Sequence, residues 1–377
     1  MAAPANIRQM NRRDILSVLM RTQTSTRSEL ARVTGLSQPT TGKIVEDLIA
    51  EGVLQTATAI PAMVGRMGRP GFDIALNSKK PYFLAVQLGV IHTRLAALSV
   101  APPPSDRWDG EFSMPTSFPA WVKATVRHAQ KLLTPSMKAV LVSVPGVFNE
   151  ITGQSILSPN LRWLEGQNIS EALQEKLGLP VIAVQEMHCL ALGHFAIDQT
   201  ADSFLLVDFG NGVGSSPVIR GRLLDGKLPL SGELGHTPVP GNTLKCGCGG
   251  VGCLETLIRR ERLLKTLGID VENWHDGWAN YVSRLKPGAL PERFKAAFQS
   301  AAIGIAGALN VLGLDRVIIT GYLSELPEHA IRILSDGIQE AAVAGRLGMV
   351  KTSVAPRRRL AGLANVGIDR FLAPATS

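Results

Sequence analysis

"HTPVPGNTLKCGCGGVGCLE", residues 236–255, holds three of the chain's four cysteines. A histidine imidazole and three thiolates are a ligand set that zinc binds tetrahedrally at closed, structural sites. The glycines between the cysteines permit the tight turns that bring sulfur atoms together. The spacing therefore predicts a structural Zn²⁺ site formed by His236, Cys246, Cys248 and Cys253. The alternative is a group of reduced cysteines that simply pack together.

The composition is that of a globular protein with room for two or three domains in its 377 residues. The N-terminus lacks the apolar core and cleavage site of a signal peptide. The longest apolar stretches look too short or too interrupted to cross a bilayer. We therefore expect a cytoplasmic protein without a membrane partner, and in that compartment clustered thiols favour a metal site over disulfides. The remaining cysteine, Cys189, is expected to be a small buried residue.

The first fifth of the chain has the pattern of a winged helix-turn-helix. Residues 1–72 carry nine basic and five acidic side chains, which is half of the net charge of +8, and a basic segment favours a polyanion as partner. A second short basic patch is Pro356–Arg359, "PRRR". The predicted elements are a helix capped by Asn11, a helix from Ser25 or Thr26 to Gly35, a helix from Ser37 to Gly52, and wing strands Val53–Thr56 and Phe72–Leu76.

The start of the third helix is expected to read base edges in the major groove of double-stranded DNA. The predicted DNA-binding residues there are Gln38, Pro39, Thr40, Thr41 and Lys43, of which Lys43 is expected to contact a phosphate. In the wing, Arg66 and Arg69 stand between Gly and Pro residues, a setting that suits a narrow minor groove. The alternatives are a helix that only packs and a wing that is an ordinary solvated turn.

From Tyr82 onward, short apolar runs rich in β-formers alternate with helical stretches. This alternation predicts an α/β architecture with two sheets. Glycine-rich junctions at Gly89, Gly210–Gly214 and Gly321 are the places where a nucleotide would be expected. We therefore predict a winged helix-turn-helix domain over residues 1–76 and an α/β domain over residues 77–377.

The stretch "SGELGHTPVPGN…CGCGGVGCLE" resembles the signature of the ROK family, which unites sugar-responsive repressors with sugar kinases. "SVPGVFN" (143–149), "LSPNLRW" (157–163) and "PVIAVQEMHCLALG" (180–193) match as well. The resemblance covers nearly the whole chain and includes the winged helix of the repressors. It implies an actin-like, sugar-kinase-like (ribonuclease H-like) fold of two lobes with a sugar between them.

The resemblance also implies which residues would bind the sugar. The implied residues are Asn160, Gln185, Glu186, Glu233, His236 and Glu255, with the histidine also binding zinc in the loop 233–255. A histidine fixed by a metal has a single orientation. The implied effector is a small sugar or a sugar phosphate, and a cleft that binds nothing is the alternative.

Kinases of this family need residues that this chain has largely lost. Their Asp-x-Gly-Gly-Thr turn corresponds to "QLGVIHTR", where Gln87, Val90 and Ile91 replace the acid, the second glycine and the threonine. Without the acid, magnesium loses its carboxylate ligand. The Asn–Asp pair that supplies the general base corresponds to Gln185–Glu186.

The Gly–Gly pair near the adenine corresponds to Gly321–Tyr322, and only "GNGVG" (210–214) survives recognisably. We therefore predict a non-enzymatic, sugar-responsive repressor of carbohydrate uptake or catabolism genes, with an ATP-dependent sugar kinase as the alternative. Such regulators bind paired half-sites as dimers, which predicts a homodimer or homotetramer.

Overall fold

The computed structural model describes residues 4–57, 73–101, 103, 105–198, 202–224, 230–271 and 274–373. Its first part is a three-helix unit closed by a small antiparallel sheet in the order β1-β3-β2. The elements are α1 (Pro4–Thr22), β1 (Thr24–Ser25), α2 (Arg27–Thr34), α3 (Gln38–Ala50), β2 (Leu54–Ala57) and β3 (Asp73–Leu76).

Local signals set the ends of α2 and α3. The Thr26 hydroxyl accepts from the amide of Glu29, and α2 ends at Gly35 with φ 72°, a left-handed conformation that glycine adopts without strain. The Ser37 hydroxyl accepts from the amide of Thr40 at the start of α3. These caps confirm the predicted helix-turn-helix. The predicted cap at Asn11 is wrong, because α1 starts at Pro4 and Asn11 lies within it.

The rest of the chain is built on two five-stranded sheets with the same topology, ordered β10-β7-β4-β5-β6 and β13-β12-β11-β14-β15. The strand that comes first along the chain in each sheet lies at its centre. In the first sheet β4 pairs antiparallel with β5 and parallel with β7, and in the second β11 pairs antiparallel with β12 and parallel with β14. This duplicated arrangement agrees with the expected two-lobed fold. The strands are β4 (Pro81–Leu88), β5 (His92–Ser99), β6 (Gly110–Ser113), β7 (Ala139–Val144), β8 (Val147–Asn149), β9 (Gln154–Leu157), β10 (Val181–Gln185), β11 (Phe204–Phe209), β12 (Val213–Ile219), β13 (Arg222–Leu223), β14 (Arg316–Gly321) and β15 (Lys351–Val354).

Helices cover the sheets and contribute buried residues to all four apolar clusters. The helices are α4 (Phe118–Ala129), α5 (Ile169–Leu177), α6 (Glu186–Ile197), α7 (Glu255–Ile258), α8 (Arg260–Thr266), α9 (Trp274–Arg284), α10 (Glu292–Leu312), α11 (Glu328–Ala341), α12 (Val343–Arg346) and α13 (Arg359–Gly367), which continues as a π-helical turn, Ile368–Leu372. Within the described residues, α10 alone is long and apolar enough to cross a membrane. The sequence analysis missed this property. Residues such as Phe298 and Ile305 nevertheless place α10 in the core beside the second sheet.

The winged helix shares an apolar core with the α/β part. Leu16 and Leu19 of α1 belong to the same buried cluster as Phe83 of β4 and Leu363 of α13. The Tyr82 hydroxyl also bonds to the backbone carbonyl of Glu51. The predicted boundary between residues 76 and 77 therefore falls in a stretch that is packed on both sides.

Candidate functional site

The predicted metal ligands meet in space. One ligand atom each from His236, Cys246, Cys248 and Cys253 lies within 4.8 Å of all the others. The Cys248 and Cys253 sulfur atoms are 3.8 Å apart, and Nδ1 of His236 is 3.5 Å from the Cys246 sulfur. A tetrahedral ion with ligand bonds of about 2.3 Å to sulfur and about 2.0–2.1 Å to nitrogen would separate two sulfurs by about 3.8 Å and sulfur from nitrogen by about 3.5 Å. The cluster could therefore hold a metal ion of this kind.

The loop around the cluster depends on close backbone turns. Gly249 and Gly252 have φ of 96° and 84°, and a Cβ on Gly252 would lie 2.7 Å from the carbonyl oxygen of Asn242. The Asn242 amide donates to the carbonyl of Cys253 at 3.1 Å. The Gly250 N–H points at the Cys248 sulfur at 3.4 Å, and such contacts stabilise a thiolate.

Two carboxylates flank the histidine. Glu233 Oε2 is 3.5 Å from Nε2 of His236, and Glu255 Oε1 is 3.9 Å from Nδ1. Glu255 Oε1 also lies 3.0 Å from the Cys246 sulfur. Burial raises the pKa of Glu233, an effect that His236 opposes and Glu255 reinforces. The structure thus groups three of the six predicted sugar-binding residues in one polar cluster.

The other predicted sugar-binding residues lie in two other segments of the chain. Asn160 is exposed in a segment that packs on the metal loop, where a Cβ on Gly247 would lie 2.9 Å from Pro159. Gln185 is buried at the end of β10. Glu186, the first residue of α6, is bound by Arg359 through Oε1, with 2.7 Å to Nε.

The glycine-rich loop 210–214 lies between these groups. A Cβ on Gly212 would lie 2.6 Å from Glu255 Oε2, and a Cβ on Gly214 would lie 2.7 Å from the sulfur of Met187, the neighbour of Glu186. The loop therefore passes close to the carboxylate of Glu255 and to the residue that follows Glu186. Only a loop without side chains at these positions can pass so close to both.

The positions that correspond to the kinase nucleotide site are filled by the protein itself. Arg357 makes two hydrogen bonds to Asp208, of 2.7 and 2.8 Å, and its guanidinium lies 2.5 Å from where a Cβ on Gly210 would be. Tyr322 is 3% exposed and its hydroxyl bonds to the carbonyl of Ile258. Gln87 is also buried.

Most of the predicted DNA-reading side chains on α3 are exposed. Gln38, Pro39, Thr40 and Lys43 face outward. Thr41 is fully buried, so its assignment as a base-reading residue is wrong. Its Cβ faces the core together with Ile44 and Leu48, one turn and two turns further along the helix. Arg66 and Arg69 of the wing lie outside the described residues.

Comparison with known proteins identifies the family. A winged helix-turn-helix DNA-binding model matches residues 11–55, and the ROK family model matches residues 112–356. The chain belongs to the ROK family. Its DNA-binding unit and its ROK domain are therefore both assigned by similarity as well as by fold.

This ROK protein is similar to both regulators and kinases. It is 24% identical to the xylose repressor of Caldicellulosiruptor bescii over 92% of each chain. It is 29% identical to a glucokinase of Halalkalibacterium halodurans over 70% of this chain and 86% of the relative. The crystal structure of a ROK transcriptional regulator homologous to the E. coli MLC protein has the same fold, with a TM-score of 0.74, 19% identity and 96% coverage of both chains.

Sequence reasoning missed the partners of the basic patch in this ROK protein. Arg357 and Arg359 bind Asp208 and Glu186, and Arg359 also faces Asp106. The available signal was the run of three arginines, which was interpreted only as a second basic patch. Arg359 is in fact only 7% exposed.

Proposed function

We propose that this ROK protein is a sugar-responsive, DNA-binding transcriptional repressor of carbohydrate uptake or catabolism genes. The observation that carries the proposal is that a winged helix with an exposed recognition helix shares one core with a ROK domain that keeps Glu233, His236 and Glu255. The similarity to a xylose repressor along nearly the whole chain supports it. In such a repressor, binding of a ligand to the ROK domain would control the affinity of α3 for operator DNA.

Zinc is the proposed metal of the four-ligand cluster, with a structural role. Three sulfurs and one imidazole satisfy its tetrahedral preference and leave no open position for chemistry. A zinc-bound thiolate cannot donate a hydrogen bond. Zinc at Cys246 would therefore leave Glu255 Oε1, 3.0 Å from that sulfur, to accept from another donor such as a ligand hydroxyl.

The proposed effector is a small sugar or sugar phosphate. Its hydroxyl groups would donate to Glu233 and Glu255, and Nε2 of His236 would complete the polar cluster. The two oxygens of a carboxylate can accept hydrogen bonds from two neighbouring hydroxyl groups of a sugar. A fixed carboxylate therefore distinguishes sugar stereoisomers by the orientation of those hydroxyls. Glu186, Gln185 and Asn160 are proposed to contact other parts of the same ligand.

The kinase alternative is less well supported. Gln87 offers magnesium no carboxylate, and the Glu186 oxygen Oε1 is engaged by Arg359 rather than free to accept a proton. Arg357 lies beside Gly210, where a nucleotide phosphate would need to approach the loop. The similarity to a glucokinase is thus attributed to the shared fold and sugar site.

A homodimer or homotetramer in the cytoplasm, without a membrane partner, is the proposed assembly. Winged helices of this kind read two half-sites about one helical turn apart, which requires two copies at a fixed separation. Because α1 shares a buried apolar cluster with the α/β part, a dimer formed through that part would fix the distance between the two winged helices.

The function is tested by an operator titration in the presence and absence of sugar. The upstream DNA of the protein's own gene is used in a gel-shift assay, and effectors are first identified by thermal shift with monosaccharides and their phosphates. A sugar-dependent shift in operator affinity is expected. ATP-dependent phosphorylation of a sugar, without specific DNA binding, would contradict the proposal.

Replacing Gln38 by alanine should weaken binding to the operator more than binding to random DNA, because a base contact is worth about 1–3 kcal/mol of discrimination. Lys43→Ala is the comparison, since a phosphate contact is lost equally on all sequences. Both affinities are measured at one salt concentration. Equal losses on both DNAs for Gln38→Ala would argue against its placement in the major groove.

Arg69→Ala is expected to lower DNA affinity mainly at A·T-flanked sites.

Replacing Glu255 by alanine should leave operator binding intact but make it insensitive to sugar. Glu255 lies beside His236 and Gly212, far along the chain from the DNA-reading residues. A typical coupling of about 1–3 kcal/mol changes DNA affinity about 5- to 150-fold, and this factor should fall to near one. An inducing sugar is expected to lower operator affinity. A variant that still responds fully to sugar would exclude Glu255 from the effector site.

A further inference from the structure

The basic segment Pro356–Arg359 connects the two sheets through its alternate arginines. Arg357 holds Asp208 at the end of β11 with two hydrogen bonds. Arg359 donates twice to Oε1 of Glu186, the residue that follows β10, once from Nε at 2.7 Å and once from a terminal nitrogen. The segment therefore joins the second sheet to the carboxylate that is proposed to face the effector.

Arg359 orients Glu186 and leaves one of the two carboxylate oxygens, Oε2, available to a ligand. Both hydrogen bonds end on Oε1, and within the described residues Oε2 has no hydrogen-bond partner. The side chain of Arg359 is 9% exposed and that of Glu186 is 25% exposed. A carboxylate held from the buried side by a planar guanidinium presents its second oxygen in a fixed direction. This is the geometry of an acceptor prepared for a ligand hydroxyl.

The Arg359 side chain is linked to the start of α13 through Asp106. The backbone N–H groups of Arg359 and Leu360 donate to Asp106, at 3.2 and 2.9 Å. The same carboxylate lies 3.8 Å from the guanidinium. Asp106 therefore caps the first turn of α13, where a negative charge is stabilising. A displacement of the guanidinium therefore changes its ion pair with the carboxylate that caps this turn.

The helices that begin at Glu186 and Arg359 are in backbone contact. A Cβ on Gly193 of α6 would lie 1.9 Å from the carbonyl oxygen of Arg358, and a Cβ on Gly362 of α13 would lie 1.8 Å from that of Cys189. Such close packing leaves no layer of side chains that could absorb a shift. The two helices consequently move as one unit.

The far end of this unit holds the winged helix. Arg13 of α1 pairs with Asp369 at 2.8 Å, and Arg12 donates to the carbonyl of Leu372 at 3.1 Å. The guanidinium of Arg12 also makes two hydrogen bonds, of 2.8 and 2.6 Å, to Glu51, the residue that follows α3. One buried arginine therefore links the end of the C-terminal helical segment to the end of the recognition helix.

We propose that Arg359 positions Glu186 for the effector and transmits effector binding to the winged helix through α13 and the turn Ile368–Leu372. The inference rests on the proposed function and names the residue that couples its two sites. A ligand that draws Glu186 into the cleft moves Arg359 and the first turn of α13, and the contacts of Asp369 and Leu372 with α1 change in consequence. Small helix shifts of this kind are a common route of allosteric change.

The test compares Arg359→Lys with Arg357→Lys in the full-length protein. Both substitutions keep the charge and remove the planar fork, but of the two arginines Arg359 is the one that is hydrogen-bonded to Glu186. The operator titration is repeated with and without saturating D-xylose or D-glucose. The sugar-dependent change in operator affinity, about 5- to 150-fold in the wild type, should fall below about twofold in Arg359→Lys and persist in Arg357→Lys. Sugar affinity should fall in Arg359→Lys only.

A second measurement uses the wild-type protein alone. Hydrogen exchange should change on sugar addition at residues 368–372 and in α1, as well as near the cleft. An unaltered sugar response in Arg359→Lys, or exchange that changes only near the cleft, would overturn the role of Arg359. A wild-type protein that binds sugar without any change in operator affinity would instead refute the proposed function, and the coupling role with it.

Discussion

Replacing Cys248 by serine is expected to remove zinc from the cluster and to unfold the loop between His236 and Glu255. A neutral serine hydroxyl is a poor substitute for a thiolate, and binding of a structural zinc ion contributes about 10–16 kcal/mol in small zinc-finger peptides. The metal content of the purified protein should fall from about one ion per chain to near zero. Sugar affinity should fall too, because His236 and Glu255 would lose their fixed positions.

Cys189→Ser is the matched control for this experiment. Cys189 is fully buried in α6, outside the cluster, so all four ligands remain in place and the zinc content should be unchanged. Operator binding without sugar separates a local from a global effect, since among the described residues the apolar cluster that contains the winged helix includes no residue of the loop 233–255. A full complement of zinc in Cys248→Ser would show that the ligand assignment is wrong.

Sequence reasoning worked best where the decisive residues are close together in the chain. The four metal ligands fall within one stretch, and so do the caps that define α2 and α3. Resemblance to the ROK family supplied the two-lobed fold, which alternation of strands and helices alone could not have specified. The error at Thr41 was avoidable, because it is spaced three, four and seven residues from Ile44, Val45 and Leu48, as on one helix face.

The PRRR segment shows where a single sequence is insufficient. Its partners Asp208 and Glu186 are 149 and 173 residues away from the arginines that bind them, and Asp106 is 253 residues from Arg359. Local pattern carries no information about such pairings, so three consecutive arginines were interpreted only as a basic patch. The same holds for the winged helix, whose attachment to Asp369 and Leu372 depends on the folded C-terminus.

Replacing Gly362 by alanine is expected to destabilise the protein by about 3 kcal/mol or more, at the upper end of the usual cost of overpacking. The new Cβ would lie 1.8 Å from the carbonyl oxygen and 2.7 Å from the carbonyl carbon of Cys189. These are backbone atoms within α6, so no side chain can rotate away and the two helices must separate. Urea unfolding followed by circular dichroism measures the loss.

Gly307→Ala provides the control, because Gly307 is exposed within α10 and a Cβ there would meet nothing within 4 Å. Alanine restricts the unfolded chain and favours the helix, so this variant should gain about 0.4–1 kcal/mol. Since α6 begins at Glu186 and α13 at Arg359, separation of the helices in Gly362→Ala should also weaken the sugar response of operator binding. Equal stability of the two variants would mean that α6 and α13 are not in backbone contact.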